Sequence, residues 1–351
     1  MSAPAVTEVS LHDTLTGQKL PRWAPWATAA GALVLALVLT AVGPVLGLAW
    51  FVLWAMLFVI GQTAWSFLVE GRRHAIDRLA TTLVYATFGI ALLPLTAVLF
   101  QVVRQGIEVL RLDFFTETMR NVSPRRDGGG VAHALVGTLE QVGIATVIAV
   151  PLGILVAIYL VEYGRGKLAT AVSFFVDVMT GVPSIIAGLF IYTFWILTLG
   201  FERSGFAASL ALVILMIPVI VRTTEEMLRI VPNDLREASF ALGVPKWKTV
   251  LRIVLPTALA GIITGVMLAV ARVAGETAPL LLTTFLSQSM NWNPFEGPQA
   301  SLPLFVWDNI SSGTDAAVAR AWGGALVLIL LVMIFYVGAK LVAARFAPKA
   351  R

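Results

Sequence analysis

From Ala24 to Leu68 the sequence stays predominantly apolar for about 45 residues. As a single helix this run would extend about 67 Å, more than twice the ~30 Å hydrocarbon core of a bilayer. It must therefore fold back on itself, and Gly43-Pro44 is the expected turn. Six more apolar stretches follow, at about Leu79–Val103, Ala134–Val161 with Pro151 inside it, Ala169–Leu199, Ala207–Val221, Val254–Leu282 and Ala321–Ala344. Lipid offers no partner to backbone N–H and C=O groups, so each stretch is expected to be helical. The predicted fold class is all-α: a polytopic integral membrane protein of about eight transmembrane helices, the first two forming an N-terminal hairpin.

Of the 351 residues 58% are hydrophobic and 13% are charged, against a charged share of about 25% in soluble domains. Mean hydropathy is +0.87. There is no cysteine, which excludes disulfides and thiolate metal sites. His12, His74 and His133 are too scattered to suggest a metal site. The formal charge of +5 sits at the ends of apolar spans, which speaks for membrane orientation and against nucleic acid. With the N-terminus inside, 17 Lys and Arg fall in inner segments and 7 in outer ones, with Arg272 left within a span. That bias predicts both termini in the cytoplasm. The first apolar run begins after more than twenty residues and is too long for a signal-peptide core, so the hairpin is expected to be retained.

Between the sixth and seventh spans lies a polar, basic interruption, Glu237 to Pro256, reading EASFALGVPKWKTVLRIVLP. Asp234, or Asn233 before it, is placed to cap a short helix, with Glu237 at the capping-box position. Gly243 suits the left-handed residue that ends a helix, and Pro245 prevents its continuation. A helix of about two turns, parallel to the inner membrane face, is expected.

Span seven contains Arg272 and Glu276, four apart and so on one face of a continuous helix, where they can pair. An ionisable residue in a span costs at least ~2.5 kcal/mol, so such residues face a bundle interior or a polar cavity. Counted from Leu255, Arg272 lies near the outer boundary; counted back from Leu282, it lies near the middle. In span five, Pro183 frees a backbone carbonyl that Ser184 is placed to satisfy, and the bend reads either as a gating hinge or as a static kink. Asp177 should face protein or the inner aqueous boundary. In the outer loop at 104–132, Arg111, Arg120, Arg125 and Arg126 are nearly cancelled by Glu108, Asp113, Glu117 and Asp127. A solvated loop is expected there, rather than an anion funnel. Gly128-Gly129-Gly130 lacks the strand and helix that would present it to phosphate. No G-x-x-x-x-G-K-[ST] occurs, and Gly166-Lys167 lacks the earlier glycine, so ATP is not bound through a P-loop. No H-E-x-x-H occurs either. No catalytic residue, cofactor or metal is expected on this chain.

Glu237, Ala238, Ser239, Gly243, Ile253, Leu255 and Pro256 carry the spacing of a known signature. They resemble the EAA motif of bacterial ABC importer permeases, with Ser239 where the pattern usually has alanine. GVPSIIAGLF at 181–190, ARVAGETAPLLLT at 271–283 and DFFT leading on to GGG resemble, more narrowly, the permease subunits of the phosphate-specific (Pst) importer, nearest its A-type permease. The likeness spans roughly residues 75–345. It implies a six-helix type I core at the cytoplasmic membrane, with the first two spans additional to it. It implies that the short helix docks on an ATP-binding subunit through Glu237, Ala238, Ser239 and Gly243. Arg272, Glu276 and Thr277 would line the path of inorganic phosphate, with Pro183 and Ser184 at a gating bend. A guanidinium fork suits phosphate oxygens; Glu276 would either hold Arg272 in place or repel the anion. The implied partners are a homologous second permease, two ATP-binding cassette subunits that hold ATP and magnesium, and an extracytoplasmic phosphate-binding protein. The expected division is a tail at 1–23, the hairpin and basic loop at 24–78, a first core helix and outer loop at 79–132, the permease domain at 133–345 and a tail at 346–351. A permease for another oxyanion, sulfate or molybdate, would share the EAA loop without ARVAGETAPLLLT. A non-transporting membrane scaffold would need no intramembrane Arg-Glu pair.

Overall fold

The structure, a computed structural model, describes residues 19–42 and 48–346; the expected turn at Gly43-Pro44 lies outside them. Every regular element among the described residues is a helix. The chain divides into two units, residues 1–99 and 100–351.

The first unit holds α1 (Ala24–Val42), α2 (Leu48–Glu70) and the start of α3 (Arg72–Val109), which runs on into the second unit. Helices α1 and α2 are antiparallel. Trp23 meets Trp65 edge-on at 6.0 Å, and Thr28 Oγ1 donates to Gln62 Oε1 at 2.6 Å. At the end of α2 the Glu70 carboxylate is almost fully buried and completely partnered. It accepts from the Leu20 amide (2.6 Å), Ser66 Oγ (2.7 Å) and the Arg78 guanidinium (2.5 and 2.8 Å). A buried carboxylate without such partners would cost several kcal/mol. The basic loop expected at 70–78 is reduced to Gly71, whose φ of 85° makes the turn. Helix α3 therefore starts at Arg72 and reaches 38 residues, running on through Pro94.

The second unit continues with α4 (Leu112–Thr116), α5 (Ala132–Ile158), α6 (Gly166–Thr180), α7 (Ser184–Ile191) and α8 (Gly205–Ile230). It closes with α9 (Asn233–Ala241), α10 (Lys246–Thr249), α11 (Leu255–Ala274), α12 (Ala278–Thr283), α13 (Leu302–Ser312) and α14 (Asp315–Phe346). A π turn at Tyr159–Tyr163 extends α5, another at Tyr192–Thr198 extends α7, and a third at Val250–Val254 joins α10 to α11. The third lies just before Pro256, whose missing N–H removes one helical bond and invites such a bulge.

Among the described residues six helical stretches are long and apolar enough to cross a membrane: Trp50–Glu70, Arg72–Val109, Ala132–Tyr163, Gly205–Ile230, Lys246–Ala274 and Asp315–Arg345. Gly166–Thr180 and Ser184–Thr198 qualify only as a pair, bent by 107°, and Ala24–Leu39 is apolar but shorter. The protein is thus an all-α, multi-pass membrane protein. Three spans differ from expectation: the first is apolar over a shorter length than a crossing needs, the fifth is broken rather than kinked, and the seventh stops at Ala274 instead of reaching Leu282.

Helix α8 is the axis of the second unit, with 67% of its apolar window buried. Leu212, Met216 and Ile220 on α8 join Ile262 of α11 and Leu304 of α13 in one core. Small residues let the helices approach, as is usual where no hydrophobic force drives packing. Gly153 of α5 lies against Ile220, while Gly261 and Gly265 of α11 lie against Met227 and Thr223. The last two contacts fix the register of α8 and α11 as antiparallel.

Candidate functional site

Helix α9 is bracketed as the sequence suggests at its end but not at its start. Pro232 occupies the cap position without a side-chain bond, and Asn233 is already helical. The expected capping by Asp234 or Asn233 is therefore corrected: proline's fixed φ sets the first turn, and Asn233 Oδ1 instead accepts from Arg236 Nη1 at 3.3 Å. At the far end Gly243 adopts a φ of 75°. Its amide donates to the Phe240 carbonyl at 2.9 Å and the Val244 amide to the Ser239 carbonyl at 3.2 Å, the paired closure of a Schellman turn. Glu237 and Ala238 are exposed, whereas Ser239 is buried with its hydroxyl 2.8 Å from that of Thr249. One hydroxyl pair thus ties α9 to the helix that leads into α11.

Arg236, which the sequence reading did not single out, is the other anchor of α9. Its Nε donates to Glu162 Oε1 at 3.0 Å, its Nη1 to the Val231 carbonyl at 2.6 Å, and its Nη2 to the Leu228 carbonyl at 2.8 Å. It therefore caps the end of α8 and pairs with the end of α5 at once. Lys246 also bonds the Glu162 carbonyl and lies 5.1 Å over the Tyr163 ring. No local pattern announces this: Glu162 is 74 residues away and the other acceptors are backbone carbonyls.

Helix α11 ends at Ala274, with Gly275 as its cap, so Glu276 lies beyond the helix. The same-face pairing expected of Arg272 and Glu276 is corrected. Pro279, placed at the start of α12, has no N–H to donate to the Gly275 carbonyl and its ring would clash with that carbonyl in a continuous helix, and the chain breaks between Gly275 and Thr277. Arg272 is exposed, Glu276 and Thr277 are half-buried, and no ion pair joins Arg272 to Glu276 among the described residues. The guanidinium of Arg272 has no hydrogen-bond partner there either, although it sits favourably at a helix C-terminus.

The depth of Arg272 follows from its neighbours. With Gly261 opposite Met227 and Gly265 opposite Thr223, the antiparallel register carries Arg272 to the level of Met216, eleven residues from the Gly205 end of α8. At 1.5 Å per residue that is about 16 Å below the end of the helix. A second contact agrees: the Ser204 amide, at the start of α8, donates to the Thr283 carbonyl at 3.2 Å. Arg272 therefore lies level with the middle of α8, at the end of a broken span.

The break in span five packs on this one. Pro183 (φ −57°, ψ 139°) turns the chain between α6 and α7, and Ser184 is the first residue of α7. Ser184 does not satisfy the freed carbonyls as expected: its side chain has no hydrogen bond among the described residues, and the Thr180 hydroxyl bonds the Val176 carbonyl instead. A Cβ on Gly188 of α7 would fall 2.5 Å from Pro279 Cα and 2.9 Å from its carbonyl oxygen. Gly188→Leu is therefore expected to push α7 and α12 apart. Such overpacking typically costs about 1–3 kcal/mol. Thermal denaturation of the purified complex and uptake rates check this, and wild-type values for both would mean that the two broken spans do not rest on each other.

Asp177, on α6, bonds Arg222 of α8, which also donates to Ser173 Oγ (2.9 Å), the Ser173 carbonyl (3.1 Å) and Glu225 Oε2 (2.6 Å). This cluster holds α6, the first half of span five, against α8.

The triple glycine is a packing device. The Val131 amide donates to the Phe114 carbonyl at 2.7 Å, the Gly129 amide to Glu117 Oε2 at 3.1 Å, and a Cβ on Gly130 would come within 2.4 Å of the Phe114 oxygen. The DFFT helix and the glycines form one folded unit. Arg320, counted in the sequence as an outer charge, is 4% exposed and grips that unit. It donates to Asn309 Oδ1 (3.1 Å) and to the carbonyls of Pro124 (3.1 Å), Arg126 (2.7 Å) and Gly128 (3.3 Å).

The family model of the binding-protein-dependent transport system inner membrane component matches residues 149–351. Phosphate transport system permease protein PstA 1 of Mycobacterium tuberculosis H37Rv is 51% identical over 262 residues, covering 74% of this chain and 85% of that protein. The PstA permease of Yersinia pestis is 40% identical over 274 residues, covering 78% and 92%. Two solved structures share the fold. A chain of a bacterial alginate ABC transporter aligns with a TM-score of 0.57 at 14% identity, covering 78% of this chain and 97% of that one. A chain of the MetNI methionine ABC transporter aligns at 0.50 and 23%, covering 62% and 95%. On the strength of the family match and of identity along most of both chains, this protein belongs to the binding-protein-dependent transport permeases and, within them, to the PstA family of phosphate transport system permeases.

Proposed function

We propose that this chain forms half of the pathway by which an ATP-driven importer carries inorganic phosphate into the cell. The observation that carries the reading is Arg272: a guanidinium level with the middle of α8, exposed at a helix break, with no counterion among the described residues. A buried structural arginine would be paired. A guanidinium left free at the end of a broken span is suited to grip a tetrahedral oxyanion by two parallel N–H···O bonds. Glu276 and Thr277 follow it in the break; the carboxylate lowers the net positive potential and keeps the anion from binding too tightly to leave.

The chain performs no chemistry itself. A homologous permease supplies the other half of the pathway, two ATP-binding subunits dock from the cytoplasm, and an extracytoplasmic protein delivers phosphate. Both termini lie in the cytoplasm. Glu237 and Ala238 present the docking face of α9, while Ser239 and Gly243 hold its shape. When the ATP-binding subunits close, the push on α9 passes through Arg236 to the ends of α5 and α8, and through Ser239 and Thr249 to α11. The rod from Thr249 to Arg272 is about 35 Å long, and at its far end the break at Gly275, with the neighbouring bend at Pro183, absorbs the motion. This is alternating access by rocking around a fixed central site.

Gly243→Val is expected to lower uptake about tenfold while ATP hydrolysis persists, because a β-branched residue at positive φ costs roughly 1–3 kcal/mol and distorts the closure of α9. Unchanged uptake per ATP hydrolysed would remove α9 from the transmission. The substrate is tested by uptake of radiolabelled phosphate into proteoliposomes holding the whole complex, with unlabelled sulfate and molybdate as competitors. Phosphate alone should compete; competition by sulfate or molybdate at equal concentration would assign another oxyanion.

A further inference from the structure

We propose that Arg203 is a second oxyanion-binding residue, placed at the outer mouth to receive the anion before it reaches Arg272. The inference rests on the phosphate reading above. Three separate elements converge here: Arg203 comes from the segment before α8, Tyr192 from the π turn after α7, and Phe285 from the chain just past α12. The guanidinium carbon lies 5.3 Å from the Tyr192 ring centroid and 5.1 Å from that of Phe285. One cation thus lies over two aromatic rings. Arginine is the residue for such a seat, since its planes are weakly hydrated and stack while its edge keeps five donors. Those donors have no hydrogen-bond partner among the described residues, and the adjacent Glu202 makes no ion pair with it.

Phe285 adopts a φ of 64°, one of two non-glycine residues with positive φ among those described. A bulky side chain holds that conformation only where its surroundings impose it. They do: the neighbouring Thr284 hydroxyl donates to the Gln299 carbonyl at 2.8 Å and accepts from the Gln299 amide at 3.0 Å, all buried. The ring is thereby set beneath the cation although it is itself 54% exposed and gains little burial from being there. The same stretch of chain joins the two free guanidinium groups. Ser204, next to Arg203, bonds Thr283, and Arg272 lies about 16 Å deeper along that stretch. A tetrahedral oxyanion released outside would meet an edge of N–H donors first at Arg203 and then at Arg272.

The test is oxyanion uptake by the whole reconstituted complex, with loaded binding protein varied from limiting to saturating. Wild-type uptake of phosphate, sulfate and molybdate is measured first. It judges the phosphate reading alone, because the Arg203 variants are then scored on whichever anion is carried. Arg203→Gln should reduce uptake about tenfold, Arg203→Lys should recover at least half of the loss by restoring the charge, and Phe285→Leu should reduce uptake about threefold. Thermal stability and stimulation of ATP hydrolysis by the binding protein should stay as in the wild type for all three. Wild-type uptake by Arg203→Gln would overturn the proposal. So would equal failure of the Gln and Lys variants accompanied by loss of thermal stability, which would make the stack a structural clamp only.

Discussion

Arg272→Gln is expected to reduce phosphate uptake by about 100-fold or more while the complex still assembles and still binds ATP. The magnitude follows from the bonds at stake. A hydrogen bond to a charged group contributes about 1.5–3 kcal/mol, so losing two at ~1.4 kcal/mol per tenfold exceeds two orders of magnitude. Assembly should survive because the side chain is exposed and partners nothing among the described residues. Arg272→Lys keeps the charge without the fork and should retain more transport than Gln, with a loss of about tenfold. Initial rates of labelled phosphate uptake, with co-purification of the ATP-binding subunit as the assembly control, decide the matter. Uptake at the wild-type rate in Arg272→Gln would remove this residue from the pathway.

Glu162→Ala is expected to destabilise the protein and to uncouple it. The carboxylate is the only counterion of Arg236 among the described residues, and both side chains are largely buried, at 6% and 12% exposure. Removing one member of a buried pair strands the other charge, at a cost of about 3–5 kcal/mol. Because Arg236 also caps α8, its release frees α9 from α5 and α8 together. Thermal denaturation should shift downward, and the phosphate carried per ATP hydrolysed should fall. Joining Glu162→Ala to Arg236→Met removes the stranded charge and should recover much of the stability without recovering coupling, since the mechanical tie is still absent. Full coupling in that double variant would show that α9 is held by Ser239 and Thr249 alone.

The parts of this architecture that were legible in the sequence are those set by strong local chemistry. Hydrophobic length alone marks out the apolar segments, and Gly243 and Pro245 punctuate α9 so firmly that its end could be placed to the residue. What sequence could not supply depends on residues distant in the chain. Arg236 reads as one of six basic residues at 222–252, and only the fold brings Glu162 and two helix-end carbonyls to it. The spacing of Arg272 and Glu276 suggests a helical pair, but Gly275 and Pro279 end the helix between them, so the periodicity stops applying where it was used. The depth of Arg272 was ambiguous from chain counting because a broken span has no single length. The contacts of Gly261 and Gly265 with α8 resolve it. Proline at 183 announced a bend, whereas its 107° amplitude and the seat of α7 on Pro279 involve residues distant in the chain that no local pattern shows.

The position of the central site can be read directly because the chain contains no cysteine. Thr277→Cys introduces one thiol into the break beside Arg272, and its modification by a membrane-impermeant maleimide reports which side of the membrane reaches it. Labelling is expected from the cytoplasmic side without nucleotide, from the outer side when ATP is trapped by vanadate, and from neither when saturating phosphate is present. Labelling that ignores both nucleotide and phosphate would contradict the account, because position 277 would then lie outside any path that opens alternately to the two sides.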